Sequence, residues 1–191
     1  LGDDALAEKL FAVCLGGRAP KCNTELHDVV FAIGETIEAT YDQLIAQWFG
    51  TPVGLHIDSW AALRLIDGHR ISLSRQPHGG PEKLFFINLG AYADGQFMEL
   101  HANLFVVDVS AKAAKAKAKA LLRERLPGHL HTDDLHDVDD YLAIREVSGW
   151  HIAIEKTDVN AIFEPVNGYH VVPEAAILRF MAAQAVLPPP A

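Results

Sequence analysis

The first part of the chain alternates between two kinds of apolar spacing. Leu10–Leu15 is apolar without a break, the pattern of a strand buried on both faces. Leu26–Ile33 is a second strand-like run, reached through a short loop holding Gly16, Gly17 and Pro20. The spacing then turns helical. After Thr36, Ile37, Leu44 and Trp48 mark one face, with Tyr41 and Ile45 beside it. The Thr36 hydroxyl is placed to accept a hydrogen bond from a first-turn amide, and Gly50-Thr-Pro52 stops the helix. The same order returns later. Leu84–Leu89 and Leu100–Val109 read as strands, and after Ser110 the residues Ala111, Ala114, Ala118 and Leu121 mark a helix that ends before Pro127-Gly128. Strand-like stretches follow each helix, at His69–Leu73 and Tyr141–Val147. Ser148-Gly149 predicts a hairpin into Trp150–Lys156, Asn167-Gly168 a further turn, and Pro173–Ala185 a last helix.

This recurrence has a fixed register. Lys9–Phe31 lies on Lys83–Phe105 without a gap, and ten of the 23 positions are identical: Lys9, Leu10, Phe11, Leu15, Gly16, Ala19, Glu25, Leu26, His27 and Phe31. So dense a match at one spacing reads as internal duplication. His56-Ile-Asp58 then pairs with His131-Thr-Asp133, one residue out of step. The expected fold is α+β: two pseudo-symmetric ββα(β) repeats packed as one unit, plus a C-terminal hairpin and helix. Residues 1–8 are expected to be an extension, 9–78 the first copy, 83–146 the second and 147–191 the C-terminal hairpin and helix. Halves of this size are marginal alone, so a shared core is expected, with Ile177, Leu178 and Met181 of the last helix covering leftover apolar surface.

Composition narrows the function classes. The formal charge is −9, against non-specific nucleic-acid binding, which needs a basic surface to displace counterions. No apolar run reaches the length of a membrane span, and the acidic start carries no basic signal-peptide region. A cytoplasmic location is therefore expected. Cys14 and Cys22 are the two cysteines; without a CxxC spacing they read as reduced thiols, Cys14 as a small buried hydrophobe.

Four residues carry the strongest chemical signal. Glu-Leu-His occurs twice, as Glu25–His27 and Glu99–His101. Residues two apart on a strand share a face. Glu99 and His101 are thus expected opposite Leu100, Ala102, Leu104 and Val106, which should be core. A carboxylate beside an imidazole fixes its tautomer and raises its basicity, as in general-base and metal sites; a structural ion pair is the alternative. His56/Asp58 and His131/Asp133 are secondary candidates, either for a divalent metal held by nitrogen and oxygen or for loop capping. The run His129–Asp140, with three His and five Asp, reads as a solvated acidic surface. Leu15-Gly-Gly17 leads into a strand rather than a helix, which excludes a phosphate-binding loop. No nucleophile motif such as GxSxG is present.

Taken together, KLFAVCLGGRAP, TELHDVVF, LHIDSW and IDGHRI resemble the bacterial domain of unknown function 1543 family, over about residues 9–146. The second copy departs from the pattern at Ala91 and Ala102, where the first has Gly17 and Asp28. The resemblance implies no activity and transfers no catalytic residues. The expected function is small-ligand or partner binding between the repeats. The alternatives are a metal-assisted hydrolase or isomerase using the Glu-x-His and His-x-Asp groups, and a structural protein that forms a homodimer.

Overall fold

The computed structural model describes residues 7–92, 95, 97–125, 138–159 and 163–186. In chain order the elements are β1 (Lys9–Gly17), β2 (Leu26–Gly34), a 3-10 turn (Glu38–Thr40), α1 (Tyr41–Gln47), β3 (His56–Ala62), β4 (Leu65–Ile66), β5 (His69–Ser74) and β6 (Lys83–Ala91). They continue with β7 (Leu100–Asp108), α2 (Ala111–Arg125), β8 (Val138–Ile144), β9 (Glu146–Val147), β10 (Trp150–Lys156), β11 (Val166–Val171) and α3 (Glu174–Val186). The fold is mixed α+β, with its strands in three sheets. The chain divides into two compact units, one of Leu1–Arg64 with Ile162–Ala191 and one of Leu65–Ala161.

The first unit is a four-stranded antiparallel sheet of order β11-β3-β1-β2. Alternate residues of β1 explain its core. Phe11, Val13 and Leu15 pack with Val30, Ala32, Leu44, Ile45, Trp48 and Ile57, and with Val172, Ala176 and Ile177 from the end of the chain. The unbroken apolar run of β1 reflects burial on both faces, since Leu10 and Ala12 are buried as well. Helix α1 is tied to edge strand β2 by Gln43, whose side chain accepts from the Ile33 amide at 3.0 Å and donates to its carbonyl at 2.6 Å. The Thr36 hydroxyl caps as expected, accepting from Ala39 N–H at 3.4 Å, but it starts the 3-10 turn that precedes α1.

The second unit holds a three-stranded sheet, β7-β6-β8, and a four-stranded sheet, β4-β5-β10-β9. Ala114, Ala118 and Leu122 of α2 pack on Phe85, Ile87, Leu89, Leu104 and Val106. Ser110 Oγ accepts from Ala113 N–H at 3.2 Å and caps α2. The β9–β10 hairpin turns at Ser148-Gly149, both with positive φ. The β1–β2 register, Lys9↔Gly34 through Gly17↔Leu26, recurs 74 residues later as Lys83↔Asp108 through Ala91↔Leu100.

Four local expectations are corrected. The His56-Ile-Asp58 segment is not a capped loop: it is the start of β3, because Ile57 belongs to the core. Asn167-Gly168 is not a chain reversal but an irregularity within β11, where the pairing with β3 shifts register. Leu178 and Met181 are largely exposed, since α3 turns Ala176 and Ile177 to the core instead. Leu100, at the start of β7, is 44% exposed rather than core.

Candidate functional site

A glycine makes room for the site. Gly16 on the central strand β1 pairs with His27 on β2 and with His56 on β3. A Cβ at position 16 would stand 2.4 Å from His56 Nε2 and 2.8 Å from Asp58 Oδ2, too close for any side chain. The register shift between Cys14 and Leu15 pairs Cys14 with Ser59 and Leu15 with Ile57, which leaves Asp58 as the extra residue of a β-bulge. Bulges re-aim side chains, and here Asp58 turns its carboxylate toward the same space. Glu25 sits immediately before β2.

The two sequence motifs exchange partners. His56 Nε2 lies 2.9 Å from Glu25 Oε1 and 3.4 Å from Asp58 Oδ1. His27 Nε2 lies 3.1 Å from Asp58 Oδ2. Each histidine thus makes its shortest approach to the carboxylate of the other motif, and His56 also lies near Asp58 of its own. His56 is 1% exposed, whereas Glu25, His27 and Asp58 are partly open to solvent. The His56 Nδ1 is 3.0 Å from the Gly54 carbonyl. A carbonyl only accepts, so Nδ1 donates to it, and Nε2 is the ring atom turned toward the two carboxylates. The approaches to His56 Nε2 and Asp58 Oδ2 are close but off axis, and neither buried atom has a well-formed hydrogen bond.

Two further groups complete the surroundings. Tyr169 on β11 lays its ring against His56, with centroids 4.2 Å apart, while remaining 67% exposed. The irregularity at Gly168, φ 148°, belongs to the backbone that places it. Cys14 is half-buried rather than core; burial, then the charges of Asp58 and Asp28, push its thiol up to about 11. It stays protonated at neutral pH and is not a nucleophile there.

The second unit is furnished differently. Glu99 and His101 face each other directly, with 3.8 Å between Oε2 and Nε2. His101 Nδ1 is 3.1 Å from Asn88 Oδ1, and Asn88 donates to Asn103 Oδ1 at 2.7 Å. Asn88 occupies the β6 position that Cys14 has in β1, and Asn103 the β7 position of Val29 in β2. His131 and Asp133 lie outside the described residues. By register the counterpart of bulge residue Asp58 is Asp139, because Leu15↔Ile57 corresponds to Leu89↔Val138. Among the described residues, no group of three or more His, Cys, Asp or Glu side chains has the arrangement of a metal site.

Sequence reading found Glu25, His27, His56 and Asp58 but not Gly16, the Gly54 carbonyl or Tyr169. Gly16 left a signal, as one of the ten residues repeated in Lys83–Phe105. Tyr169 left none, being more than a hundred residues from its partner.

No curated protein matches the chain. Among solved structures it is similar to the crystal structure of a protein Il1583 from Idiomarina loihiensis, with 32% identity and a TM-score of 0.69, over 88% of this chain and 99% of that one. The profile of the family described as Domain of Unknown Function (DUF1543) matches residues 22–73, a stretch that contains Glu25, His27, His56 and Asp58. The chain belongs to the DUF1543 family.

Proposed function

We propose that the first unit binds a small polar molecule at Glu25, His27, His56 and Asp58 and exchanges a proton with it through His56 Nε2, as a hydrolase or isomerase would. One observation supports this above the others: an imidazole 1% exposed, its Nδ1 committed to a backbone carbonyl, whose Nε2 lacks a well-formed hydrogen bond between two carboxylates. An unsatisfied buried polar atom costs about 1–3 kcal/mol, a cost with no structural return here. Glu25 and Asp58 stabilise the imidazolium that forms when Nε2 takes a proton. Asp58 also holds His27 at the rim.

The matching registers of β1–β2 and β6–β7 support descent of the two units' sheets from one duplicated segment. On this reading the Glu99/His101 copy kept the imidazole–carboxylate pair and exchanged its surroundings for an asparagine ladder. The chemistry resides in the first copy. With a net charge of −9, the partner is a small molecule rather than nucleic acid.

The test compares wild type with His56→Gln in two assays. One is hydrolysis of p-nitrophenyl acetate, and the other is deuterium uptake from heavy water by small enolisable ketones. The reading expects one of the two rates to fall on the order of 10²-fold in the variant. Equal rates in both assays, with the variant folded, would refute it.

A further inference from the structure

We propose that the bound molecule presents a positively charged nitrogen, an organic ammonium or guanidinium group, to this site. The inference rests on the proposed binding site and names the class of its ligand.

The lone pairs of the cluster decide the sign. With Nδ1 donating to the Gly54 carbonyl, His56 turns Nε2 toward the carboxylates. Asp58 Oδ2 and Glu25 Oε1 are carboxylate oxygens, which accept. Two of these three, His56 Nε2 and Asp58 Oδ2, are buried and lack a well-formed hydrogen bond. Both border the space that a side chain at position 16 would fill. The ion pairs of Glu25 and Asp58 run to imidazoles, which are uncharged unless protonated. The two carboxylates therefore make the site rich in acceptors. An anionic ligand would be repelled by the two carboxylates and leave Asp58 Oδ2 unsatisfied.

A nitrogen cation answers both deficits. An ammonium offers three N–H donors and a guanidinium five, and bonds from such groups to carboxylates are the strong, charge-assisted kind. The exposed ring of Tyr169, against His56, adds an aromatic surface of the sort that attracts cations. A chain with net charge −9 also draws cations toward it.

The experiment titrates the full chain at constant ionic strength while following the His27 and His56 side-chain NMR signals. The probes are methylammonium chloride, methylguanidinium chloride, sodium acetate, sodium phosphate, and zinc and magnesium chloride. One or both organic cations should shift both histidines saturably. The Glu25→Gln/Asp58→Asn variant, checked for a native melting transition, should bind them about tenfold more weakly or worse, as loss of charge-assisted bonds requires. The inference is overturned if acetate or phosphate shifts the histidines instead, or if neither organic cation does. It is also overturned if the variant binds the cations as wild type does, or if a metal chloride takes the site in preference to both. An anion preference alongside His56-dependent turnover would overturn the ligand class alone. Cation binding with turnover indifferent to His56→Gln would overturn the proton-transfer reading alone.

Discussion

At the scale of single residues, position 16 shows how an absent side chain can specify a site. His27 and His56 reach Gly16 from opposite neighbours of the same strand. A methyl group there would press on His56 Nε2 and Asp58 Oδ2, both buried atoms. Gly16→Ala should therefore destabilise by about 1–3 kcal/mol, the usual cost of forcing extra volume into packed space. It should also move the His56 signals in the NMR spectrum. Urea unfolding checks the first outcome, and a midpoint equal to wild type would contradict it. Cys14, on the same strand, supplies a pH dependence of definite sign. Burial, with the charges of Asp58 and Asp28, raises its folded pKa from 9.0 to about 11. The folded protein thus holds the thiol proton more tightly than the unfolded one. The stability this contributes is complete below about pH 9 and is lost as pH rises through about 11. Thermal melting between those limits should show wild type losing stability more steeply than Cys14→Ala; parallel curves would exclude the thiol as the cause.

At the scale of elements, hydrophobic pattern was informative wherever a strand or helix packs by simple alternation. The expected Leu26–Ile33 and Leu100–Val109 differ by one residue from β2 and β7, because their apolar halves are core and their starts are polar. Thr36 and Ser110 were legible as caps because capping depends on local chemistry alone. Pattern failed where a strand carries an irregularity. His56-Ile-Asp58 reads as a capped loop and Asn167-Gly168 as a turn, yet both lie in strands whose pairing shifts register. A bulge suspends the two-residue alternation that sequence reading relies on. The same limit governed the site. The four candidate side chains of the first copy were legible as residue types, but their pairing was not. Glu25 meets His56 and His27 meets Asp58 only because β1 lies between β2 and β3, and strand order leaves no trace in one sequence. The expected partners of His56 and Asp58, His131 and Asp133, lie outside the described residues. Strand register pairs Asp58 with Asp139 instead.

At the scale of the molecule, the first unit is closed by the end of the chain. Strand β11 pairs with β3, and Val172 donates its amide to the Leu55 carbonyl at 3.0 Å. Val172, Ala176 and Ile177 enter the same core as Val13, Leu15 and Ile57. Arg179 of α3 reaches Asp42 of α1 at 2.9 Å, an exposed pair that adds little by itself. The unit is thus assembled from segments separated by the whole of the second unit, and its core is incomplete until the last segment arrives. Ending the chain after Val159 would bare the edge of β3 and one side of that core, and would remove Tyr169 from His56. Burying each of those side chains contributes roughly 1.5–3 kcal/mol for the larger ones, against a total stability of only about 5–15 kcal/mol for a typical domain. The truncated chain should therefore lose hydrogen-exchange protection in peptides from β1, β2 and β3. Peptides from β6, β7 and α2, whose core draws nothing from beyond Val159 among the described residues, should keep theirs. Mass spectrometry of exchanged and digested protein separates the two sets. Full protection of β1–β3 in the truncated chain would mean that the unit closes without its C-terminal segment. Loss of protection in both sets would mean that the second unit depends on the first for its fold.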